Sequence, residues 1–375
     1  MHFIDLDANY KRIKSRIDKA VLDVISSGKY ILGPAVGEFE KRLAEYIGVK
    51  HVVSCANGTD ALLIPLMAHG IGRGDAVFCP SFTFAATAEV VALAGAEPVF
   101  IDIEEDTYNI DADSLLKAID MIKAEGRLTP KAIITVDLFG LPADHVKINK
   151  IAKEHNLLLI EDAAQSIGGK TTYGMCGSLG DIGATSFYPA KPLGCYGDGG
   201  AIFTNDDNLV EILRSIAFHG KGSSQYDNVR VGLNSRLDTI QAAILIEKLN
   251  ILEDEMEERS AVASYYNEGL KCYCKVPEIP EGHRSAFAQY TISVEHRDEL
   301  KEYLKERSIA TMVYYPKGLH LQKAYCNYPR VSGGLPVTER FSDKVISLPM
   351  HPYLSKQDQD IVIEAIISFY KKRGS

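Results

Sequence analysis

The sequence predicts an α/β fold: a large domain on a mostly parallel sheet over residues 1–245, then a bridging helix and a small α+β domain over residues 246–375. Three observations lead there. Seven strand-length apolar runs alternate with amphipathic helical patterns over the first two thirds of the chain. Those runs are apolar at successive positions, as strands covered on both faces are, rather than alternating with polar residues. Near residue 243 the pattern gives way to a long, densely charged helix and a shorter mixed unit.

Taken in order, HVVSCA (51–56) leads into a helix at GTDALLIPLMAHG (58–70), DAVFCP (75–80) into TFAATAEVVALAG (83–95), and EPVFIDI (97–103) into DADSLLKAIDMIKAEG (111–126). KAIITVDLF (131–139) is followed by the helical DHVKINKIAKEHN (144–156), and LLLIEDAA (157–164), IGATSFYP (182–189) and GAIFTN (200–205) complete the seven runs. The stretch 242–270 reads as one continuous helix bridging the domains. Beyond it, AQYTISVE (288–295), DELKEYLKERSI (298–309) and TMVYYP (311–316) form the small unit, closed by a helix over 356–373 whose last residues are basic, as suits a helix C-terminus.

Charged residues make up 24% and the hydrophobic set 46% of 375 residues, a globular composition with no disordered tract. A formal charge of −9 argues against nonspecific binding to nucleic acid or to an anionic membrane, so any phosphate site must be local. The first twenty residues lack the apolar core of a secretory signal, and the most apolar stretch, 83–101, carries Glu89 and Glu97, which excludes a plain membrane span. A soluble, cytoplasmic protein is expected. Of seven cysteines only Cys272 and Cys274 are close in sequence, without zinc spacing elsewhere, so buried reduced thiols are expected.

Three features fall at strand ends, where ligands gather in open α/β sheets. In CANGTDALL, Gly58 and Thr59 open a helix, and glycine's freedom with successive free amides makes an anion site that the Thr59 hydroxyl completes; the plainer alternative is an ordinary helix cap by Thr59. In LLLIEDAAQSIGG, Glu161 and Asp162 end an apolar strand, where a carboxylate wants a cation: a metal, which no second cluster of acids or histidines supports, or a protonated ring nitrogen, unless the acid merely caps the next helix. In SFYPAKPLGCYGDGGAIFT, Pro192 disfavours helix at Lys191, and Gly194, Gly197, Gly199 and Gly200 let the backbone turn closely around something. A desolvated lysine there is a nucleophile toward aldehydes; a surface loop is the alternative. Phosphate cup, carboxylate and Schiff-base lysine are together what a protein supplies to pyridoxal 5′-phosphate. No P-loop or dinucleotide fingerprint is present.

On these motifs, with YILGPAVGEFEKRLAEYIGVKHVVSCANGTDAL, VGLNSRLDTIQAAIL and LPMHPYL, the sequence resembles the DegT/StrS group of sugar-nucleotide aminotransferases over nearly its whole length. The resemblance implies the aspartate-aminotransferase-like fold (fold type I), with a seven-stranded sheet. It implies pyridoxal 5′-phosphate as cofactor, cycling through pyridoxamine 5′-phosphate, and no metal. Lys191 is then the catalytic residue that forms the Schiff base and shuttles a proton. Asp162 pairs with the ring nitrogen, Gln165 approaches the phenolic oxygen, Phe84 stacks on the ring, and Gly58, Thr59 and Ser186 hold the phosphate. Asn234 reaches the phosphate from a second subunit, which implies a homodimer with a shared site. Members that dehydrate sugars carry histidine where this chain has Lys191, so amino transfer is implied.

For the substrate, the resemblance points to enzymes that aminate C3 of UDP-2-acetamido-2-deoxy-3-oxo-D-glucuronate with L-glutamate, toward diamino-uronic acids of surface polysaccharide such as lipopolysaccharide O-antigen. The alternatives are another keto sugar (a dTDP-3-keto-6-deoxyhexose or a 4-keto sugar), a non-enzymatic regulator on the same scaffold, and a desulfurase or lyase using Cys195. Arg236 is the family's candidate for a substrate carboxylate, suited to bidentate bonding. Relatives have His-Tyr-Pro where this chain has Tyr314, Tyr315 and Pro316; tyrosine donates a hydrogen bond there but carries no positive charge. His219 and His320 complete the substrate candidates, with a structural role as the alternative for each.

Overall fold

The computed structural model describes residues 1–224 and 226–373. Seven strands, β1 (His51–Cys55), β2 (Asp75–Pro80), β3 (Glu97–Ile101), β4 (Thr129–Val136), β5 (Leu158–Asp162), β6 (Ile182–Ser186) and β7 (Gly200–Thr204), form one sheet in the order β1-β7-β6-β5-β4-β2-β3. β7 runs antiparallel to both its neighbours and the remaining pairs are parallel. Along β7, Ile202 belongs to one hydrophobic cluster while Ala201 and Phe203 belong to another. The sheet is therefore buried on both faces, as its unbroken apolar strands require.

Two helices that the sequence reading left unassigned, Leu6–Ser27 and Pro34–Ile47, precede the sheet. The first starts where the Asp5 carboxylate accepts the Ala8 N–H at 2.8 Å, and the second at Pro34, whose missing N–H costs nothing in a first turn. The helices Gly58–Ala68, Ala86–Leu93, Ala112–Glu125, His145–His155 and Leu209–Ala217 connect or flank the strands.

The single bridging helix expected over 242–270 is instead two, Thr239–Leu249 and Leu252–Leu270, because Ile251 (φ −117°, ψ 2°) leaves helical geometry. The first piece packs with the large sheet's helices: Ala242 and Leu245 join Phe39 and Leu43. The 245/246 division thus falls inside a helix of the large unit, and we place the boundary at the break instead. Beyond it, β8 (Tyr290–Ser293) and β9 (Val345–Leu348) pair antiparallel, and their core joins Tyr266, Leu300, Leu304, Val362 and Ile366 from helices Leu252–Leu270, Arg297–Lys305 and Lys356–Arg373. The segment 311–316, read as part of the small unit, makes only an isolated bridge, Met312 to Ser347. It runs on toward the large sheet.

Candidate active site

One rung of the sheet builds the anion cup. Cys55 at the end of β1 pairs with Gly200 at the start of β7, and Gly200 pairs with Ser186 at the end of β6. This sets the turn after β1 against Ser186. A Cβ added to Gly58 would lie 2.6 Å from the Ser186 Cβ, and one added to Gly200 would lie 2.3 Å from the Asn57 carbonyl oxygen. Gly58 is therefore needed for closeness to Ser186, not for the unusual backbone angle expected of it. The helix cap is Asn57, whose side chain accepts the Asp60 N–H at 2.8 Å, rather than Thr59. The half-buried Thr59 stays available beside the first-turn amides, an arrangement that suits a phosphate.

Asp162 ends β5 with its side chain buried. Its carboxylate accepts the Ala164 N–H at 3.1 Å and the Thr87 hydroxyl at 3.2 Å. Burial pushes its pKa up to about 6, against the opposing pull of the Ala164 amide, the Lys191 charge and Thr87. A buried acid so placed lacks a full cationic partner, and a protonated ring nitrogen would supply one. Thr87, which orients this carboxylate, is a residue the sequence reading missed; its only signal is its place at the start of the helix after β2.

Glu161, its neighbour along β5, has a different role. It accepts the Gly177 and Leu179 N–H groups at 2.6 and 2.7 Å, and lies in a buried cluster with Asp137 and His145. Asp137 accepts the Ala143 N–H, the Ser166 hydroxyl at 2.8 Å and His145 Nε2 at 3.0 Å. Burial and the Asp137 charge push the Glu161 carboxyl up, opposed by His145 and the Gly177 amide. The sequence reading found no second cluster of acids or histidines; this one exists, drawn from β5, the end of β4 and the helix His145–His155. Its carboxylate oxygens already take protein hydrogen bonds, which ties the Ser166 turn to the sheet.

Lys191 sits in the connection between β6 and β7, in a turn where its N–H donates to the Tyr188 carbonyl at 2.8 Å. Burial lowers its pKa, opposed by the Asp162 charge, so the same pocket holds a lysine biased toward the neutral amine and an acid that pulls it back. The loop's glycines again serve close approach: a Cβ on Gly194 would meet the Pro189 oxygen at 2.5 Å. Cys195 is buried, its thiol donates to the Phe187 carbonyl at 3.0 Å, and burial raises its pKa to about 11. That is the opposite of an activated nucleophile. The expectation of buried thiols holds for Cys55, Cys79, Cys176 and Cys195, whereas Cys272 and Cys326 are exposed.

Gln165 accepts the Phe139 N–H at 2.8 Å, and its amide lies 3.5 Å from the Tyr315 hydroxyl. Tyr315 packs edge-to-face on Phe82 with centroids 6.1 Å apart, and burial with the Asp162 charge pushes its phenol up. It therefore stands at the Asp162–Gln165 wall, with Tyr314 beside it at 5.8 Å between ring centroids. Phe84 is 60% exposed and offers a ring face. Asn234 is exposed, and the Arg236 guanidinium lies 5.0 Å from the Phe218 ring centroid. His219 is exposed with a left-handed backbone (φ 57°). His320 is not brought into the cup. It is buried, with Nδ1 2.7 Å from Ser81 Oγ and Nε2 3.1 Å from Glu339 Oε1, so both ring nitrogens are engaged and the structural alternative describes it.

Residues 11–367 match the DegT/DnrJ/EryC1/StrS aminotransferase family. The chain belongs to this family. It is 46% identical over 98% of its length to the UDP-2-acetamido-2-deoxy-3-oxo-D-glucuronate aminotransferase of Pseudomonas aeruginosa, covering 99% of that protein. It is 43% identical to a pleiotropic regulatory protein of Geobacillus stearothermophilus, covering 98% of each chain. The crystal structure of a DegT DnrJ EryC1 StrS aminotransferase from Brucella abortus superposes with a TM-score of 0.98 at 62% identity, over 98% of this chain and 99% of that one. The aminotransferase is pyridoxal-phosphate-dependent, with the fold of this family. Its residues fit that cofactor: first-turn amides and Thr59 set against Ser186 by the close approach at Gly58, a buried acid short of a cation, and a lysine of lowered pKa under the influence of that acid.

Proposed function

We propose that the aminotransferase transfers the amino group of L-glutamate to C3 of UDP-2-acetamido-2-deoxy-3-oxo-D-glucuronate, in the cytoplasm, toward a diamino-uronic acid of surface polysaccharide. The observation that carries the chemistry is the Lys191–Asp162 pair beside the Gly58–Ser186 cup; the substrate rests on the Pseudomonas aeruginosa relative. Pyridoxal phosphate, when bound, supplies the aldehyde that carries the amino group and the ring that draws off electrons. Lys191 would be the residue that holds this aldehyde, and its Nζ the atom at which a proton is moved. Asp162 would keep the ring nitrogen protonated, Gly58, Thr59 and Ser186 would take the phosphate, Gln165 and Phe84 would set the ring, and Arg236 with Tyr314 and Tyr315 would meet the substrate. Titrating the pyridoxamine form with UDP-, dTDP- and GDP-keto sugars should show restoration of the lysine-linked absorbance by the UDP-3-oxo-uronate at the lowest concentration. A preference for a 4-keto or dTDP sugar would transfer the assignment to that sugar and leave the chemistry standing.

A second reading is a regulator on the same scaffold, favoured by the relationship to the pleiotropic regulatory protein. Catalytic turnover of glutamate separates the two, since a cofactor-binding regulator shows the spectrum without the turnover.

We further propose a homodimer. Tyr30, Ile31 and Leu32 are each about half exposed, at 48, 49 and 54%, and Val231 is 83% exposed near Asn234. Side chains so apolar are more stable against a partner's surface than in water. Sedimentation should give twice the 41.2 kDa chain mass, and Asn234→Asp should weaken cofactor retention by placing a charge against the phosphate. A monomer with full turnover would end this proposal.

A further inference from the structure

Beneath the Lys191 loop lies a small chamber that the aminotransferase chemistry leaves unexplained. Its walls come from the first helix and the residue run before it, the Pro189–Gly194 turn, the two helices either side of the Ile251 break, and the segment 351–353. Among the described residues, five buried side-chain atoms have no hydrogen-bond partner, and three of them, Asn9 Oδ1, Arg259 Nε and His351 Nδ1, belong to residues lining this chamber. Lys248, 6% exposed, lines it too; its ammonium rests over the Tyr196 ring, 4.4 Å from the centroid.

The polarity of these atoms restricts what fits. Asn9 Nδ2 already donates to Glu255 Oε1 at 2.8 Å and to the Tyr353 hydroxyl at 3.2 Å, which leaves Oδ1 as an acceptor. Arg259 Nη1 donates to the Phe287 carbonyl at 2.9 Å, which leaves the Nε–H as a donor. His351, driven down to about 4 by burial, is neutral at physiological pH. A guest must therefore donate to Asn9 and accept from Arg259 and Lys248. A halide cannot donate and a metal ion cannot accept, whereas water does both. The chamber's volume of about 20 Å³ admits one water, and two to four polar partners are what a buried water needs.

We propose that this chamber is a resident water site, in which one water molecule joins Lys248, Arg259, Asn9 and His351 and supports the turn that carries Lys191 from below. Lys248 is then a positioning residue. The charged and titratable groups that line the chamber with it are Glu255, which favours its ammonium, Asp5, Arg259, Lys191 itself, Tyr353 and the neutral His351, with Cys195 and Tyr196 completing its surroundings. Burial lowers Lys248 from 10.5 to about 8, so its protonation, and with it the water's hydrogen-bonding direction, changes in a testable range.

Only the spectral arm of the test rests on the aminotransferase reading. A crystal structure of the full chain grown with bromide should show one ordered water within hydrogen-bond distance of at least three of the four groups and no anomalous bromide peak there. A dry chamber or a bromide peak overturns the proposal. Stability gives an independent reading. Lys248 has a folded pKa below its unfolded one, so the unfolded chain binds more protons between pH 8 and 10.5 and stability rises with pH across that window. The melting temperature of the native protein should therefore climb relative to Lys248→Met from pH 8 to 10; a difference constant with pH contradicts a proton-carrying Lys248. In the loaded protein, a spectral transition near pH 8 should be present in the native chain and missing from Lys248→Met, and its persistence in the variant overturns the coupling to Lys191. Should Lys248→Met not fold, Asn9→Leu, which fills the chamber from the opposite wall, should expel the water, and a water retained there is equally contrary.

Discussion

Lys191→Ala is expected to slow glutamate-dependent amino transfer by on the order of 10⁴-fold or more, the scale seen when a covalent catalytic group is removed. The variant should still take up pyridoxal phosphate, because Gly58, Thr59 and Ser186 are held by the β1–β7–β6 rung and not by the lysine. What it loses is the lysine-linked absorbance and its response to glutamate. Single-turnover absorbance with L-glutamate checks this directly. A variant with native kinetics would mean that another amine does the work. Cys195 offers no substitute, since its thiol is buried and its pKa is raised.

Asp162→Asn should have two effects of opposite sign. The glutamate half-reaction should fall by about 10²- to 10³-fold, the usual loss when a preorganised electrostatic group is removed from a reacting centre. The protein without cofactor should become more stable. Asp162 has a folded pKa of about 6 against 3.8 in the unfolded chain, so the folded state binds the extra proton between those values. Its contribution is full below about pH 4, declines as pH rises to 6 and stays lost above that. Asparagine does not titrate and preserves the geometry, accepting from Ala164 and donating to Thr87 Oγ1. The variant's advantage should therefore grow from pH 4 to 6 and level off at on the order of 2–3 kcal/mol. Thermal unfolding of the two apoproteins across this range tests it, and a native apoprotein that is the more stable one at pH 7 would refute the burial argument. Adding cofactor should narrow the gap, because the ring's proton then compensates the buried charge.

What the sequence disclosed follows distance along the chain. Strands β1 to β7 were legible because each is a short apolar run, Asp162 because a charge at the end of such a run has few places to go, and Lys191 because Pro192 and the glycines after it hold it in a tight turn. The β7 reversal was not, since GAIFT is equally apolar in either direction. The Asp137–His145–Glu161 cluster escaped because its members lie up to 24 positions apart and meet only through the β4–β5 pairing. Tyr315 was placed with the substrate by its motif, and its position against Gln165 depends on how the second unit docks. At Gly58 the sequence suggests backbone freedom, which is a local property, while the approach of Ser186, 128 residues later, is not. The break at Ile251 interrupts a pattern that stays helical in composition on both sides, so periodicity alone could not locate it.

The rung that joins Cys55, Gly200 and Ser186 also fixes when the site comes into being. β1 must wait for β7, because residue 51 pairs with residue 204, and loop closure over such a separation is slow compared with local helix formation. On a ribosome delivering about 5–20 residues per second, β1 therefore emerges many seconds before its strand partner β7. During that interval the segment HVVSC is an unpaired apolar edge, the kind that associates with other chains. A nascent chain stalled before residue 200 has neither the cup nor a partner for β1, so cofactor capture comes after β7 has paired and reports on that pairing.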